Sequence, residues 1–297
     1  MNPISNKVII IGCSGFIGNS LYNYLSSNSN FDVVGFSSIN CNLLNYDQVE
    51  YALKNIKDET SIVFVSFIGP KQDNTIDSFT KNVQMVTNFV NVITDKQIKS
   101  IIFISSTDIY GMPALQLPIT ENTGPNIIDF YSLSKYTCEN IFFLKLSAKC
   151  PITSLRLPGI YGYNDNGNSI IGHFVKNIFY GNKCIINNNG NSFRDFVSVS
   201  DLSKIICELL IKPSEGIINV CTGNTTSIKE IVLYITDCIN KEVQIEFSEK
   251  FTKRDYDLSF DSTKLKRSCP DLSMQDIKSG IDEYIKDLTE SKGKKNG

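Results

Sequence analysis

A glycine-rich turn between a strand and a helix constrains the fold of this chain most strongly. The β-branched segment Lys7-Val8-Ile9-Ile10-Ile11 is typical of a buried parallel strand. It leads into Gly12-Cys13-Ser14-Gly15-Phe16-Ile17-Gly18, and a helical pattern starts near Asn19. Glycines at such a turn let backbone N–H groups approach a pyrophosphate at the helix N-terminus. The context predicts a dinucleotide site, with a glycine turn that binds no ligand as the alternative. The spacing is G-x-x-G-x-x-G rather than the commoner G-x-G-x-x-G.

Strand-like and helix-like segments alternate up to about residue 160. This alternation predicts an α/β fold, a doubly wound parallel sheet with helices on both faces and ligands at the carboxyl ends of its strands. The predicted strands are Lys7–Gly12, Asp32–Phe36, Ser61–Ser66, Ser100–Ser106 and Pro151–Leu157. The predicted helices lie near Gly15–Ser26, Tyr46–Lys57, Thr75–Lys96 and Ile127–Lys149.

The rest of the chain is less regular and predicts a smaller C-terminal lobe. We expect residues 1–165 to form a dinucleotide-binding core to which 193–222 returns, and 166–192 with 223–297 to form a substrate-binding lobe. A capping box at Ser227–Glu230 predicts the start of a helix. The polar segment Ser291–Gly297 predicts a frayed end. Short strands are predicted at Phe193–Ser198, Gly216–Cys221 and Glu242–Phe247.

Composition excludes several classes of function. The 297 residues carry a formal charge of −2, so no global basic field favours nucleic acid or an anionic membrane as partner. No apolar segment approaches the roughly 18–20 residues that span a bilayer, and the first residues lack the pattern of a signal peptide. We therefore expect a cytoplasmic protein. Nine cysteines without a C-x-x-C pair and a single histidine, His173, predict reduced, mostly buried thiols and no metal site.

Tyr131 and Lys135 form a candidate proton-transfer pair. They lie four residues apart on a predicted helix and therefore share one of its faces. A nearby ammonium favours the phenolate and lowers the tyrosine pKa from about 10, so that the phenol can exchange a proton with an alcohol near neutral pH. For an isolated match, a surface helix with a solvated lysine is the alternative. The glycine turn favours the catalytic interpretation, because it provides a cofactor for the pair.

Several segments of the chain, in their order along the sequence, resemble the motifs of the extended short-chain dehydrogenase/reductases, the NAD-dependent epimerase/dehydratase family of nucleotide-sugar enzymes. The resemblance runs from residue 7 to about residue 270 and implies a Rossmann fold. Its segments are Gly12-x-x-Gly15-x-x-Gly18, Asn42-Leu43, Asn82-Val83, Ile104–Gly111, Tyr131-x-x-x-Lys135, Arg156–Gly162, Arg194–Val197 and Asp201-Leu202.

The resemblance implies a role for each matched residue. Tyr131 is expected as general acid/base, Lys135 as its pKa tuner and holder of the nicotinamide ribose, and Ser106 as the hydroxyl that binds the reacting oxygen. A strand-end cap is the alternative for Ser106. The expected cofactor contacts are Gly12, Gly15, Phe16, Ile17, Gly18, Ser37, Asn42, Leu43, Tyr131, Lys135, Pro158 and Gly159. The expected substrate contacts are Thr107, Arg194 and Arg254, of which the arginines suit a diphosphate or, alternatively, pair with carboxylates such as Asp195.

Departures from the family pattern narrow the choice of reaction and of cofactor. Thr107 and Asp108 stand where sugar-nucleotide dehydratases carry an acidic pair, which disfavours dehydration. Gly159 stands where many 4-epimerases and dehydratases carry asparagine. The second strand leads into Ser37 and Ser38, and supplies neither the carboxylate usual for NAD nor the arginine frequent for NADP. Because these serines could donate hydrogen bonds to a 2′-phosphate, NADP(H) is favoured. NAD(H) is the alternative.

The sequence therefore predicts an NAD(P)-dependent oxidoreductase that acts on a nucleotide-activated sugar, first of all a 4-keto-6-deoxyhexose reductase with Tyr131 as general acid. A nucleotide-sugar 4-epimerase with tightly bound NAD is the alternative. A dinucleotide-binding sensor without turnover is a third possibility, which the presence of both Tyr131 and Lys135 disfavours. The resemblance also implies a homodimer through a helical bundle that includes the helix of Tyr131.

Overall fold

Strands and helices alternate as the sequence predicts. The computed structural model describes residues 6–56, 58–252 and 255–295, with side chains described up to residue 292. Within these ranges the strands are β1 (Asn6–Ile11), β2 (Phe31–Phe36), β3 (Thr60–Phe64), β4 (Ile98–Ser106), β5 (Ile152–Leu157), β6 (Gly159–Tyr161), β7 (Cys184–Ile186), β8 (Phe193–Arg194), β9 (Phe196–Ser198), β10 (Gly216–Asn219), β11 (Thr226–Ser227) and β12 (Ile245–Phe247). The helices are α1 (Phe16–Ser26), α2 (Tyr46–Leu53), α3 (Ile76–Ile93), α4 (Phe130–Leu146), α5 (Ile170–Tyr180), α6 (Val199–Ile211), α7 (Ile228–Ile239), α8 (Thr263–Ser268) and α9 (Ile277–Lys295).

A six-stranded parallel sheet positions the candidate site. Its order is β10-β5-β4-β3-β1-β2, so the chain moves outward from β1 to β2 and then crosses back over β1 to β3. This reversal brings the carboxyl ends of β1, β3 and β4 together at the switch point where open α/β sheets bind ligands. The doubly wound fold is confirmed.

Apolar side chains cover both faces of this sheet. On one face, Leu21 and Leu25 of α1 pack with Leu202 and Ile205 of α6. The other face packs against α2, α3 and α4 through side chains that include Val49, Phe64, Phe89, Phe103 and Phe142. Burial of each large apolar side chain contributes about 1.5–3 kcal/mol, so the two layers hold the strand ends in fixed positions.

A further apolar cluster joins α5, α7 and α9 through side chains that include Ile171, Ile178, Ile231, Ile235, Ile281 and Tyr284. On this basis we propose residues 166–192 and 223–297 as the substrate-binding lobe. The capping box is confirmed, since the Ser227 and Glu230 side chains accept from each other's backbone N–H groups at 3.2 and 3.1 Å. The predicted frayed end is wrong as far as residue 295, because α9 continues to Lys295. Tyr284 and Leu288 are buried and anchor this helix. The polar residues at its end give no sign in the sequence that the helix continues so far.

Among the described residues, none of the helices combines the length and apolar character needed to cross a bilayer. All nine cysteines are free thiols, and seven of them are buried, as predicted.

Candidate active site

The glycine turn brings the start of α1 close to the end of β1. Gly12 has a φ of +96°, and a Cβ there would lie 2.8 Å from the Ser66 backbone nitrogen. A Cβ on Gly18 would lie 2.1 Å from the Gly12 carbonyl oxygen. These two glycines are therefore required by the fold itself. Gly15 differs, because it caps α1 with an ordinary φ of −76° and a Cβ there would meet only the Gly12 oxygen, at 3.6 Å.

The turn therefore fits the pyrophosphate of a dinucleotide. The space beside Gly15 allows a ligand to approach the first turn of α1, an 11-residue helix whose N-terminal N–H groups favour anions. The side chain of Ile17 packs against the core beneath the turn, and Phe16 lines a cavity of about 220 Å³ with Tyr161 and Tyr284. Phe16 and Ile17 can still offer their backbone N–H groups to such a ligand.

The residues after β2 form a compact turn. The Ser37 hydroxyl accepts from the Ile39 N–H at 3.3 Å, and the Asn40 side chain accepts from the Ser37 N–H at 2.7 Å. Further on, the Asn42 side chain accepts from the Leu44 N–H at 3.1 Å. Buried Leu43 accepts a hydrogen bond from Asn88 through its carbonyl, at 2.9 Å. The structure thus places Ser37, Asn42 and Leu43 in the loop that follows the strand beside β1, where a dinucleotide's adenosine end belongs in this fold.

The N-terminus of α4 is fixed from two directions, which holds Tyr131 in place. Asp129 and Ser132 form a capping box, in which the Ser132 N–H donates to Asp129 at 2.8 Å. Asn74, in the loop before α3, accepts from the Tyr131 N–H at 2.9 Å and donates to Asp129 at 3.2 Å. The sequence analysis missed Asn74. It lies 57 residues from Tyr131 in the chain, and no local pattern marks it.

Ser106, Tyr131 and Lys135 come together at the end of β4. Ser106 is the last residue of that strand, and its hydroxyl accepts from the Asp108 N–H at 3.1 Å and lies near enough to the Tyr131 phenol to affect its pKa. Lys135 Nζ donates to the Ile104 carbonyl oxygen at 2.7 Å. A hydroxyl, a phenol and an ammonium thus lie close together at the end of β4.

The electrostatics of the pair differ from the sequence expectation. Burial raises the pKa of Tyr131, with Asp108 adding to the rise and the Ser106 hydroxyl opposing it. Burial likewise lowers the pKa of Lys135 to about 7, which Cys138, Glu139 and Asp108 partly oppose. The expected lowering of the Tyr131 pKa is therefore wrong for this state. The Lys135 ammonium lies 5.8 Å from the Tyr131 ring centroid, is held by a carbonyl and is itself only partly charged near neutral pH.

Pro158 and Gly159 follow β5, whose last residue, Leu157, pairs with Ser106. A Cβ on Gly159 would lie 2.7 Å from the ring of Phe196. The Phe196 ring fills the space that an asparagine side chain would need, which explains this departure from the family pattern. The Thr107 hydroxyl is buried and donates to the Leu157 carbonyl at 3.2 Å.

Arg194 is buried on β8, which pairs with β11, and donates to the Phe193 carbonyl at 3.1 Å. Burial lowers its pKa, while the carboxylates of Asp257, Asp255 and Asp108 oppose this. Asp195 accepts from Thr222 and Gly223 and so anchors the loop after β10. Arg254 lies outside the described residues.

A buried ion pair supports the catalytic helix one turn after Lys135. Glu139 accepts from Arg156 of β5 at 3.0 Å (Nε) and 2.7 Å (Nη2), and from Ser154 at 2.8 Å. The Arg156 guanidinium also lies 4.7 Å from the ring centroid of Tyr110. This network ties α4 to the sheet. Its residue types are unremarkable in the sequence, and only their packing reveals the connection.

This arrangement can transfer a proton to or from an oxygen held between Ser106 and Tyr131. Among the described residues, no three His, Cys, Asp or Glu side chains are grouped so that they could hold a metal ion. His173 lies exposed on α5, with its ring beside the Asn177 amide, away from the pair.

Comparison with known proteins finds relatives in sequence and neighbours in structure along most of this chain. GDP-6-deoxy-D-talose 4-dehydrogenase of Aggregatibacter actinomycetemcomitans is 28% identical over 253 residues, which cover 84% of this chain and 85% of that enzyme. The structure of RMD from Pseudomonas aeruginosa complexed with NADPH superposes with a TM-score of 0.85 at 19% identity, covering 97% of this chain and 100% of that one. The structure of the UDP-glucose 4-epimerase of Thermotoga maritima with UDP-glucose superposes with a TM-score of 0.84 at 16% identity, covering 96% of this chain and 99% of that one. The model of the NAD dependent epimerase/dehydratase family matches residues 8–221, and this chain belongs to that family.

Proposed function

We propose that this protein is an NAD(P)-dependent oxidoreductase of a nucleotide-activated sugar, and specifically a 4-keto-6-deoxyhexose reductase. The observation that carries the proposal is the convergence of Ser106, Tyr131 and Lys135 at one strand end, beside the single carboxylate of Asp108. Thr107, at the other position of the dehydratases' acidic pair, directs its hydroxyl to a backbone carbonyl. The relative that acts at C4 of a 6-deoxyhexose, by its name, supports the same substrate class.

With its pKa raised by burial, the Tyr131 phenol carries its proton at neutral pH and can give it up only to an oxygen as basic as a developing alkoxide. Ser106 hydrogen bonds the sugar carbonyl oxygen, and Tyr131 donates its proton to that oxygen as the alkoxide develops. The positive charge on Lys135 then stabilises the phenolate that remains. When bound, the reduced nicotinamide supplies the hydride to the carbonyl carbon.

The chain's own residues fit this cofactor. The space beside Gly15 receives the pyrophosphate, the loop from Ser37 to Leu43 the adenosine end, and Pro158 with Gly159 the nicotinamide end. We assign NADP(H), because the loop after β2 offers hydroxyls and no carboxylate at Ser37 and Ser38. Arg194 and Arg254 are proposed to bind the diphosphate of the substrate.

We further propose that the protein acts in the cytoplasm as a homodimer. Helices α3 and α4 pack against each other and leave apolar side chains exposed, including Ile76 at 66% and Leu144 at 84%. Sedimentation velocity should give a dimer mass, whereas a monomer at micromolar concentration would contradict this arrangement.

The test is oxidation of NADPH with GDP- and dTDP-linked 4-keto-6-deoxyhexoses, with the sugar product identified by NMR. We expect one reduced 6-deoxyhexose for each NADPH oxidised. Copurification of NAD, with interconversion of UDP-sugars in the absence of added cofactor, would contradict the reductase and identify a 4-epimerase. Cofactor binding without turnover on any of these sugars would instead indicate a sensor.

A further inference from the structure

The aromatic ring of Phe67 covers the ammonium of Lys135. Lys135 Nζ lies 3.6 Å from the centroid of this ring and 5.2 Å from that of Phe103. The Phe67 ring also meets Tyr131 edge-on, with the centroids 5.9 Å apart and the planes at 83°. One side chain therefore contacts both members of the proton-transfer pair, and Lys135 is only 3% exposed.

The segment that carries Phe67 is held by a buried side chain. Asn82 of α3 accepts from the Ile68 N–H at 2.8 Å and donates to the Ile68 carbonyl at 3.2 Å. Asn82 is 1% exposed, so this double hydrogen bond is shielded from water. The backbone next to Phe67 is therefore fixed relative to the helix that packs against α4.

We propose that Phe67 is a positioning residue for Tyr131 and Lys135, which holds the ammonium beside the Ile104 carbonyl with its π face and keeps water away from the pair. The relevance of this role to catalysis rests on the proposed function. The role itself is a property of the protein without substrate, so it can be tested separately.

The ring exerts two opposite effects on the charge of Lys135. Its π face attracts the cation, which favours the protonated form. Its bulk excludes water, which disfavours that form. The other groups that face the ammonium stay in place when Phe67 is replaced. They are Asp108 on the turn after β4, and Tyr131, Cys138 and Glu139 on α4.

Two substitutions separate the effects. Phe67→Leu keeps most of the bulk and removes the π face, so the pKa of Lys135 should fall by about half to one unit. Phe67→Ala admits water to the ammonium, so the pKa should rise from about 7 toward its ordinary value of 10.5. A purely structural role in the core would not move the pKa in opposite directions.

The experiment is a pH titration of the protein without cofactor, followed by the NMR shift of 13Cε-labelled lysine, with the Lys135 signal assigned by its loss in Lys135→Met. Phe64→Leu is the matched control. It removes a ring from the same aromatic cluster, in contact with Phe89, Phe103 and Phe142, and should leave the titration unchanged.

A Lys135 pKa that falls in Phe67→Leu and rises in Phe67→Ala supports the proposal. Unchanged values, or shifts of the same sign in both variants, overturn it. Circular dichroism and thermal unfolding check that each variant folds. If Phe67→Ala does not fold, the sign of the shift in Phe67→Leu decides alone. An inactive enzyme would contradict the proposed function and leave this titration valid.

Discussion

Replacing Lys135 with methionine should remove a pH dependence from the stability of the fold. Burial lowers the pKa of this lysine from 10.5 to about 7, so between these values the unfolded chain binds more protons than the folded protein. The free energy of unfolding of the wild type should therefore rise with pH across this window, relative to the variant. From pH 7 to about pH 9.5 we expect a relative gain of about 3 kcal/mol.

The assay is urea unfolding at several pH values, compared between the wild type and Lys135→Met. Lys145→Met is the control, because Lys145 lies exposed on the same helix and its ammonium stays in water whether or not the protein is folded. This control should follow the wild type at every pH. A difference between wild type and Lys135→Met that stays flat, or that falls as the pH rises, would refute the burial argument.

Three further predictions concern other parts of the site. Gly15→Ala should leave stability within about 1 kcal/mol, because the entropic gain of alanine is offset by its poor fit at the N-cap of α1. The same variant should weaken NADPH binding about 30-fold, because its methyl keeps the pyrophosphate from one charge-assisted contact with the turn. Gly18→Ala should instead unfold the turn, because its methyl meets the Gly12 oxygen; isothermal titration and thermal melting distinguish these outcomes. Glu139→Gln should cost about 3–5 kcal/mol in urea unfolding, since Arg156 would stay buried without its partner charge, and a loss below about 1 kcal/mol would contradict this. Ser37→Asp should shift the ratio of NADPH to NADH affinity about tenfold toward NADH by repulsion of the 2′-phosphate, and an unchanged ratio would place that phosphate elsewhere.

The elements that build the sheet could be predicted because their patterns are local. β1 is a run of β-branched residues that ends at a glycine turn, and α7 starts at the capping box Ser227–Glu230, so both are recognisable within a few residues. The glycine turn and the Tyr131–Lys135 spacing are similarly local. Their order along the chain was sufficient to indicate the family that the comparison then confirmed.

The environment of the pair could not be predicted, because it depends on residues that are distant in the chain. Asn74 and Phe67 reach Tyr131 and Lys135 from the segment between β3 and α3. The spacing of four residues indicates proximity to an ammonium, but not the burial that dominates both pKa values. For the same reason the sequence shows glycine at position 159 without showing the Phe196 ring that requires it.

The most direct test of the central claim is the turnover of Tyr131→Phe with NADPH and a nucleotide-linked 4-keto-6-deoxyhexose. General acid catalysis contributes about 10²–10⁴-fold, so the variant should lose at least about 100-fold in kcat while its affinity for NADPH stays within about threefold of the wild type. Circular dichroism should show an unchanged fold, since the Tyr131 backbone contact with Asn74 is retained. A variant that reduces the sugar at the wild-type rate would contradict the assignment of Tyr131 as the proton donor.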